Sequence, residues 1–151
     1  MISHEGTKTR RDKEEISGIV VDCAFRLHNE LGPGLLESVY EVLLAKMLHE
    51  KGFHIERQKP VPIVFEGLKF DEGFRADLLV DDLLLVELKS VENLSPVHSK
   101  QVLTYLRLLN KPLGLLINFG ANTFKEGVKR IVNGPQSFTT SCLRVNKKEI
   151  L

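Results

Sequence analysis

From Glu14 onward, apolar residues recur at helical spacing, with Ile16, Ile19, Val20, Cys23, Ala24, Leu27 and Leu31 on one face. That spacing predicts a helix stopped by Gly32-Pro33-Gly34. A second stripe of Leu36, Val39, Tyr40, Leu43, Leu44, Met47 and Leu48 predicts another helix, ending at Gly52, where glycine suits a helix C-terminus. The two helices are expected to pack together. The period then changes. Residues 53–59 and 61–66 read as strands broken at Pro60 and Pro62, with Gly67 as a turn before Lys69-Phe70 begins the next, a β-meander. Leu78-Leu79-Val80 and Leu83-Leu84-Leu85-Val86 are buried strand sequence on either side of Asp81-Asp82, predicting a hairpin over about 74–90. Ser95-Pro96 opens a third helix, with Val102, Leu103, Leu106 and Leu109 buried and Pro112 after its end. Residues 113–119 are another buried strand, and 124–132 suit a short strand or a helix equally. The pattern predicts an α/β chain, a mixed central β-sheet flanked by helices over residues 13–133. Residues 1–12 have no apolar periodicity and read as a flexible N-terminus, while 134–151 form an extension of no assignable structure.

Charged residues interrupt the strands where burial is expected. Arg75-Ala76-Asp77 precedes one apolar run, and Glu87-Leu88-Lys89 closes the other. In a hairpin, directly opposed residues share a face, so the register decides what these charges can do. A two-residue turn would set Asp77 opposite Val86. A three-residue turn of Asp81, Asp82 and Leu83, the predicted one, sets Asp77 opposite Glu87. Arg75, Asp77, Glu87 and Lys89 then share one face, while Ala76, Leu78, Val86 and Leu88 pack the other. Opposed carboxylates repel at Cβ separations of about 5 Å, so a cation between them is expected, most simply a divalent metal.

With 151 residues and 42% hydrophobic content, the chain fits one ordinary globular domain. Its 2 cysteines, Cys23 and Cys142, without a charged-then-apolar leader, suggest a reducing, cytoplasmic setting, and no apolar run reaches membrane length. Net charge is only +1, but residues 60–99 carry 3 basic and 8 acidic side chains, and residues 100–151 carry 9 and 2. An acidic middle suits a metal and a basic final third suits phosphates, although both also suit solvated surfaces.

Asp77 followed by Glu87-Leu88-Lys89 on the next strand resembles the PD-(D/E)XK nuclease superfamily. Gly34-Leu35-Leu36-Glu37-Ser38-Val39-Tyr40 further resembles the pattern that names the GxxExxY group of nuclease-like proteins within it. Gln101-Val102-Leu103-Thr104-Tyr105 matches the Gln-x-x-x-Tyr motif seen after the lysine in several members, and Ala76 stands where the superfamily's name has proline. The resemblance implies a restriction-endonuclease-like αβββαβ core with an extra N-terminal helix. It also implies a nuclease in which Asp77, Glu87 and the Leu88 carbonyl hold Mg²⁺, with Mn²⁺ as substitute, Lys89 is catalytic and Glu37 closes the metal site. Gln101, Tyr105 and Tyr40 are then supporting residues.

Lys100, Arg107, Lys111, Lys125, Lys129 and Arg130 are the candidate contacts to nucleic-acid phosphates, DNA or RNA, and Arg144, Lys147 and Lys148 suit a basic tail. Nothing in the pattern reads bases, so cleavage is expected not to be sequence-specific, with DNA favoured and homodimerisation open. His98 shares the Gln101 face and suits either a phosphate contact or a helix start. Cys23 and His28 are five apart on one helix, but Cys23 continues the apolar stripe and reads as core. Each acid also has a plainer reading. Glu37 suits the first turn of a helix because of the dipole, and Glu87 with Lys89 suits an exposed ion pair. The competing function is a catalytically silent nucleic-acid-binding or protein-interaction module on the same fold.

Overall fold

The computed structural model describes residues 12–134, so all but the last residue of the expected flexible terminus (1–12), nearly all of the C-terminal extension, and Cys142, Arg144, Lys147 and Lys148 lie outside the described residues. Two helices, α1 (Lys13–Leu31) and α2 (Glu37–Glu50), precede the strands β1 (Ile55–Phe65), β2 (Leu68–Val80) and β3 (Leu84–Lys89). Helix α3 (Pro96–Leu109), β4 (Leu113–Asn118), a 3-10 turn (Lys125–Gly127) and β5 (Val128–Val132) follow.

Local chemistry sets the helix ends. Asp12 accepts from the Glu15 amide at 2.8 Å to start α1. Ser95 and His98 form a capping box that starts α3, with Pro96 in the first turn where its missing N–H costs nothing. His98 therefore belongs to the helix start, its Nδ1 accepting from the Ser95 amide at 3.1 Å.

The five strands lie in the order β1-β2-β3-β4-β5, with β3 and β4 parallel and every other pair antiparallel. One face carries Leu78, Val80, Leu84, Val86, Leu88, Leu113, Leu115 and Ile117 against Ile16, Val20, Leu27, Tyr40, Leu44 and Leu48 of α1 and α2. The other face sets Leu85 and Leu116 against Val102 and Leu106 of α3. Burial of each such leucine or isoleucine contributes roughly 1.5–3 kcal/mol. This is the mixed α/β sheet with flanking helices that the sequence pattern predicts.

Four details depart from the predicted pattern. Residues 55–65 form one strand, not two broken at the prolines. β1 is an edge strand, where proline is tolerated because one row of amides needs no partner, and the register shifts between Val61 and Ile63. The strand expected to begin at Lys69-Phe70 runs on without a break into the first arm of the hairpin as β2, after a tight turn with Glu66 at φ 50° and Gly67 at φ 83°, the left-handed pair such hairpins need. Ala76 packs with Leu85, Val102, Leu106 and Leu116 rather than with Leu78 and Val86. The β1–β2 ladder skips the Gln58/Asp77 step there, and strict alternation of faces fails across it. Leu36 and Val39, assigned to the buried stripe of α2, are exposed at 73% and 38%, while Glu41 on the same helix is buried. Residues 124–132, left open between strand and helix, contain a 3-10 turn and then a strand.

Candidate active site

The hairpin turn is the three-residue one. Asp81 and Asp82 take left-handed conformations (φ 52° and 54°), and the Leu83 amide donates to the Val80 carbonyl at 3.0 Å. Leu78 pairs with Val86, Leu79 with Leu85 and Val80 with Leu84, where the paired ladder ends. Beyond Leu78 the backbone ladder gives way to side chains. The Asp77 amide donates to Glu87 Oε2 at 3.0 Å, and the Leu88 amide donates to Asp77 Oδ2 at 2.9 Å. Each carboxylate thus occupies a backbone donor on the opposite strand, which fixes both near the end of β3.

Glu87 is only 6% exposed. Burial, and then the charge on Asp77, push its carboxyl up to about 8, against the opposing pull of the Asp77 amide and of Lys89. Tyr105 lies near enough for both acids to raise its hydroxyl pKa, after burial, and its ring stacks on Phe74 with centroids 3.9 Å apart. Arg75 is exposed and pairs with Glu72. Lys89 ends β3 partly exposed, and the Phe119 amide donates to its carbonyl at 2.8 Å.

Sequence reasoning missed three residues that reach this site. Glu41, 4% exposed, accepts from Gln58 Nε2 at 2.7 Å and pairs with Arg57 at 3.1 Å. The same Gln58 nitrogen donates to Asp77 Oδ1 at 3.2 Å. Burial raises the Glu41 carboxyl above its usual range, and the charge on Asp77 adds to the effect despite Gln58 and Arg57. Along the chain the one hint is that Glu41 directly follows Tyr40, one turn before Leu44 and Ala45, a placement that is ordinary until β1 packs beside it.

Glu37 does not meet the Asp77–Glu87 pair through any hydrogen bond or ion pair given by the described residues. It is exposed in the first turn of α2, on the rim of an open groove with Gly34, Leu36, Ser38, Ser90 and Val91. Tyr40 is wholly buried, stacked on Phe119 at 4.2 Å, and its hydroxyl donates to the Gly32 carbonyl at 2.5 Å and accepts from the Leu35 amide at 3.2 Å. It pins the loop that carries Gly34 at φ 107° and so sets the start of α2. Ser90, just past Lys89, donates to the Leu35 carbonyl at 2.7 Å and ties that loop to the end of β3. The Gly-x-x-Glu-x-x-Tyr spacing thereby builds one wall of the groove.

Gln101 is exposed on α3. Because β3 and β4 are parallel, their C-terminal ends share one edge of the sheet, and α3 starts there and returns to the far edge. Lys100 and Lys125 therefore fall toward the acid end of the sheet. Arg107, in the last turn of α3, falls toward the opposite end, and Lys111 lies there, bonded to Asp82 of the hairpin turn at 3.1 Å. Lys129 lies opposite Leu116, and Arg130 pairs with Glu14. His28 Nε2 bonds to the Ala121 carbonyl at 3.2 Å, and Cys23 is 2% exposed in the core, so they form no metal pair. Among the described residues, no three His, Cys, Asp or Glu side chains converge to hold a metal unaided. No described helix is long and apolar enough to cross a membrane.

The family model of the PD-(D/E)XK nuclease superfamily matches residues 14–131. The match covers every described element except the first residue of α1 and the last of β5, and the chain belongs to that superfamily. No curated protein matches the chain.

Proposed function

Starting from membership of the PD-(D/E)XK nuclease superfamily, we propose that this chain hydrolyses phosphodiester bonds of nucleic acid, with Mg²⁺ held by Asp77 and Glu87 and Mn²⁺ able to replace it. The observation that carries this reading is the reciprocal bonding that holds Asp77 and Glu87 together near the end of β3, in a setting that pushes Glu87 up to about 8. Folding alone gives no reason to oppose two acids, since like charges across a hairpin destabilise it. Hard carboxylate oxygens suit a small divalent cation, whose charge would offset both the repulsion and the burial. The Leu88 carbonyl is the proposed third ligand. In a strand, a residue's N–H and C=O leave on the same side, and the Leu88 amide points to Asp77. With two side chains and one carbonyl, the set needs water and substrate phosphate to complete it.

A bound cation would stabilise charge on the phosphoryl oxygens and ease loss of a proton from water. Lys89 then orients the attacking water, or offsets the developing charge as the new P–O bond forms and the bond to the departing sugar oxygen breaks. Glu37 acts from the rim of the groove as a supporting residue, and Tyr40 by holding the loop. Tyr105 lines the acid pair, and Gln101, Lys100, Lys125 and Lys129 meet the nucleic-acid backbone. DNA is the favoured substrate, without sequence preference, in a cytoplasmic setting. The test is incubation of the protein with Mg²⁺ or Mn²⁺ and single-stranded, double-stranded and branched DNA and RNA. Cleavage by the wild type, lost in Asp77→Asn and Lys89→Met, supports the reading. Nucleic-acid binding without cleavage in any combination, equal in both variants, would replace it with a silent binding module.

A further inference from the structure

Among the described residues, Gln58 is the one non-glycine residue within a strand that takes the left-handed backbone, at φ 50°. The other four such residues, Glu66, Asp81, Asp82 and Asn110, sit in turns or at a helix end, where that conformation is ordinary. Glutamine gains nothing from this conformation, and strain at such a point persists only where the surroundings hold it. The side chain supplies the reason. Its amide nitrogen donates both to buried Glu41 at 2.7 Å and to Asp77 at 3.2 Å, at the step where the β1–β2 ladder is skipped. Glu41 is fixed in turn by Arg57, which contacts it through Nε and a terminal nitrogen, both at 3.1 Å.

We propose that Gln58 is a positioning residue for Asp77. One amide NH₂ group, anchored by the Glu41–Arg57 pair on α2 and β1, holds Oδ1 of Asp77, while the Leu88 amide holds Oδ2. The carboxylate is gripped from both neighbouring strands, and its plane is set before any cation arrives. A glycine or asparagine would take the same backbone with less strain, but neither side chain spans Glu41 and Asp77. Outer hydrogen bonds of this kind typically tune metal affinity 10- to 100-fold. The proposal rests on the cation-binding reading only for that last consequence.

The test compares wild type, Gln58→Leu and a control, Val61→Ala, which removes core volume from the same strand. It reads hydrogen exchange of the Leu88 amide in metal-free protein, and Mn²⁺ affinity by calorimetry. The expected result is faster Leu88 exchange in Gln58→Leu than in the control at matched global stability, with Mn²⁺ affinity about 10- to 100-fold weaker. Leu88 exchange that follows global stability alike in both variants would overturn the proposal, whatever the metal does. If Leu88 responds but wild-type protein takes no Mn²⁺, with or without oligonucleotide, the positioning role stands and the cation site falls.

Discussion

Asp77 and Glu87 each hold the other's strand: the Leu88 amide, one residue past Glu87, bonds to Asp77, and the Asp77 amide bonds to Glu87. This reciprocal arrangement replaces the ladder that ends at Leu78 and Val86. It sets two acids side by side, and the cost is a Glu87 carboxyl pushed up by burial and by the charge on Asp77.

That cost predicts a pH dependence. The Glu87 carboxyl lies near 8 in the folded chain, above its ordinary 4.5, so between those values the folded state holds a proton that the unfolded state has lost. Metal-free stability should therefore fall as pH rises from about 4.5 to 8 and level off beyond, with Glu41 adding to the trend in the same direction. Glu87→Gln should flatten most of this slope and be more stable than wild type at pH 9 without metal, as read by urea denaturation. A wild-type curve that rises over this range would contradict the burial argument.

Two acids on α2 should behave differently. Glu37 is exposed without a cap role, so Glu37→Ala should change stability by less than about 0.5 kcal/mol. Glu41→Ala leaves Gln58 and Arg57 without their partner and should cost about 1–3 kcal/mol. Denaturant midpoints of the two variants decide this.

Tyr40→Phe keeps the stack on Phe119 but strips the Gly32 carbonyl and the Leu35 amide of their shared partner. A loss of about 1–3 kcal/mol is expected, together with faster exchange of the Leu35 amide. Unchanged exchange at Leu35 would mean that the loop is held by something else.

The basic residues divide by position. Lys100→Ala or Lys125→Ala should weaken nucleic-acid binding and lower its salt slope by about one. Lys111→Ala should leave the slope unchanged, because that ammonium is engaged by Asp82 at the far end of the sheet. Binding measured across a salt series separates them.

The hydrophobic rhythm made the helices and inner strands legible, since each buries one continuous face. The three-residue turn that pairs Val80 with Leu84 was legible too, because Asp81, Asp82 and Leu83 fill it. Ala76 was misplaced because its face depends on a skipped pairing step at Gln58, which is a tertiary event with no local signature. Glu41, Arg57 and Gln58 were missed for a related reason. Their meaning lies in β1 passing beside both α2 and Asp77, whereas an acid beside a tyrosine and a polar triplet before a proline look ordinary along the chain.

The most direct measurement is a calorimetric titration of Mn²⁺ and Mg²⁺ into wild type and Asp77→Asn, alone and with a non-cleavable oligonucleotide. Binding to wild type is expected to strengthen as pH approaches 8, where the cation no longer competes with the Glu87 proton, and to be lost in Asp77→Asn. Failure of wild type to take either ion, even with oligonucleotide present, or equal binding by both proteins, would contradict it.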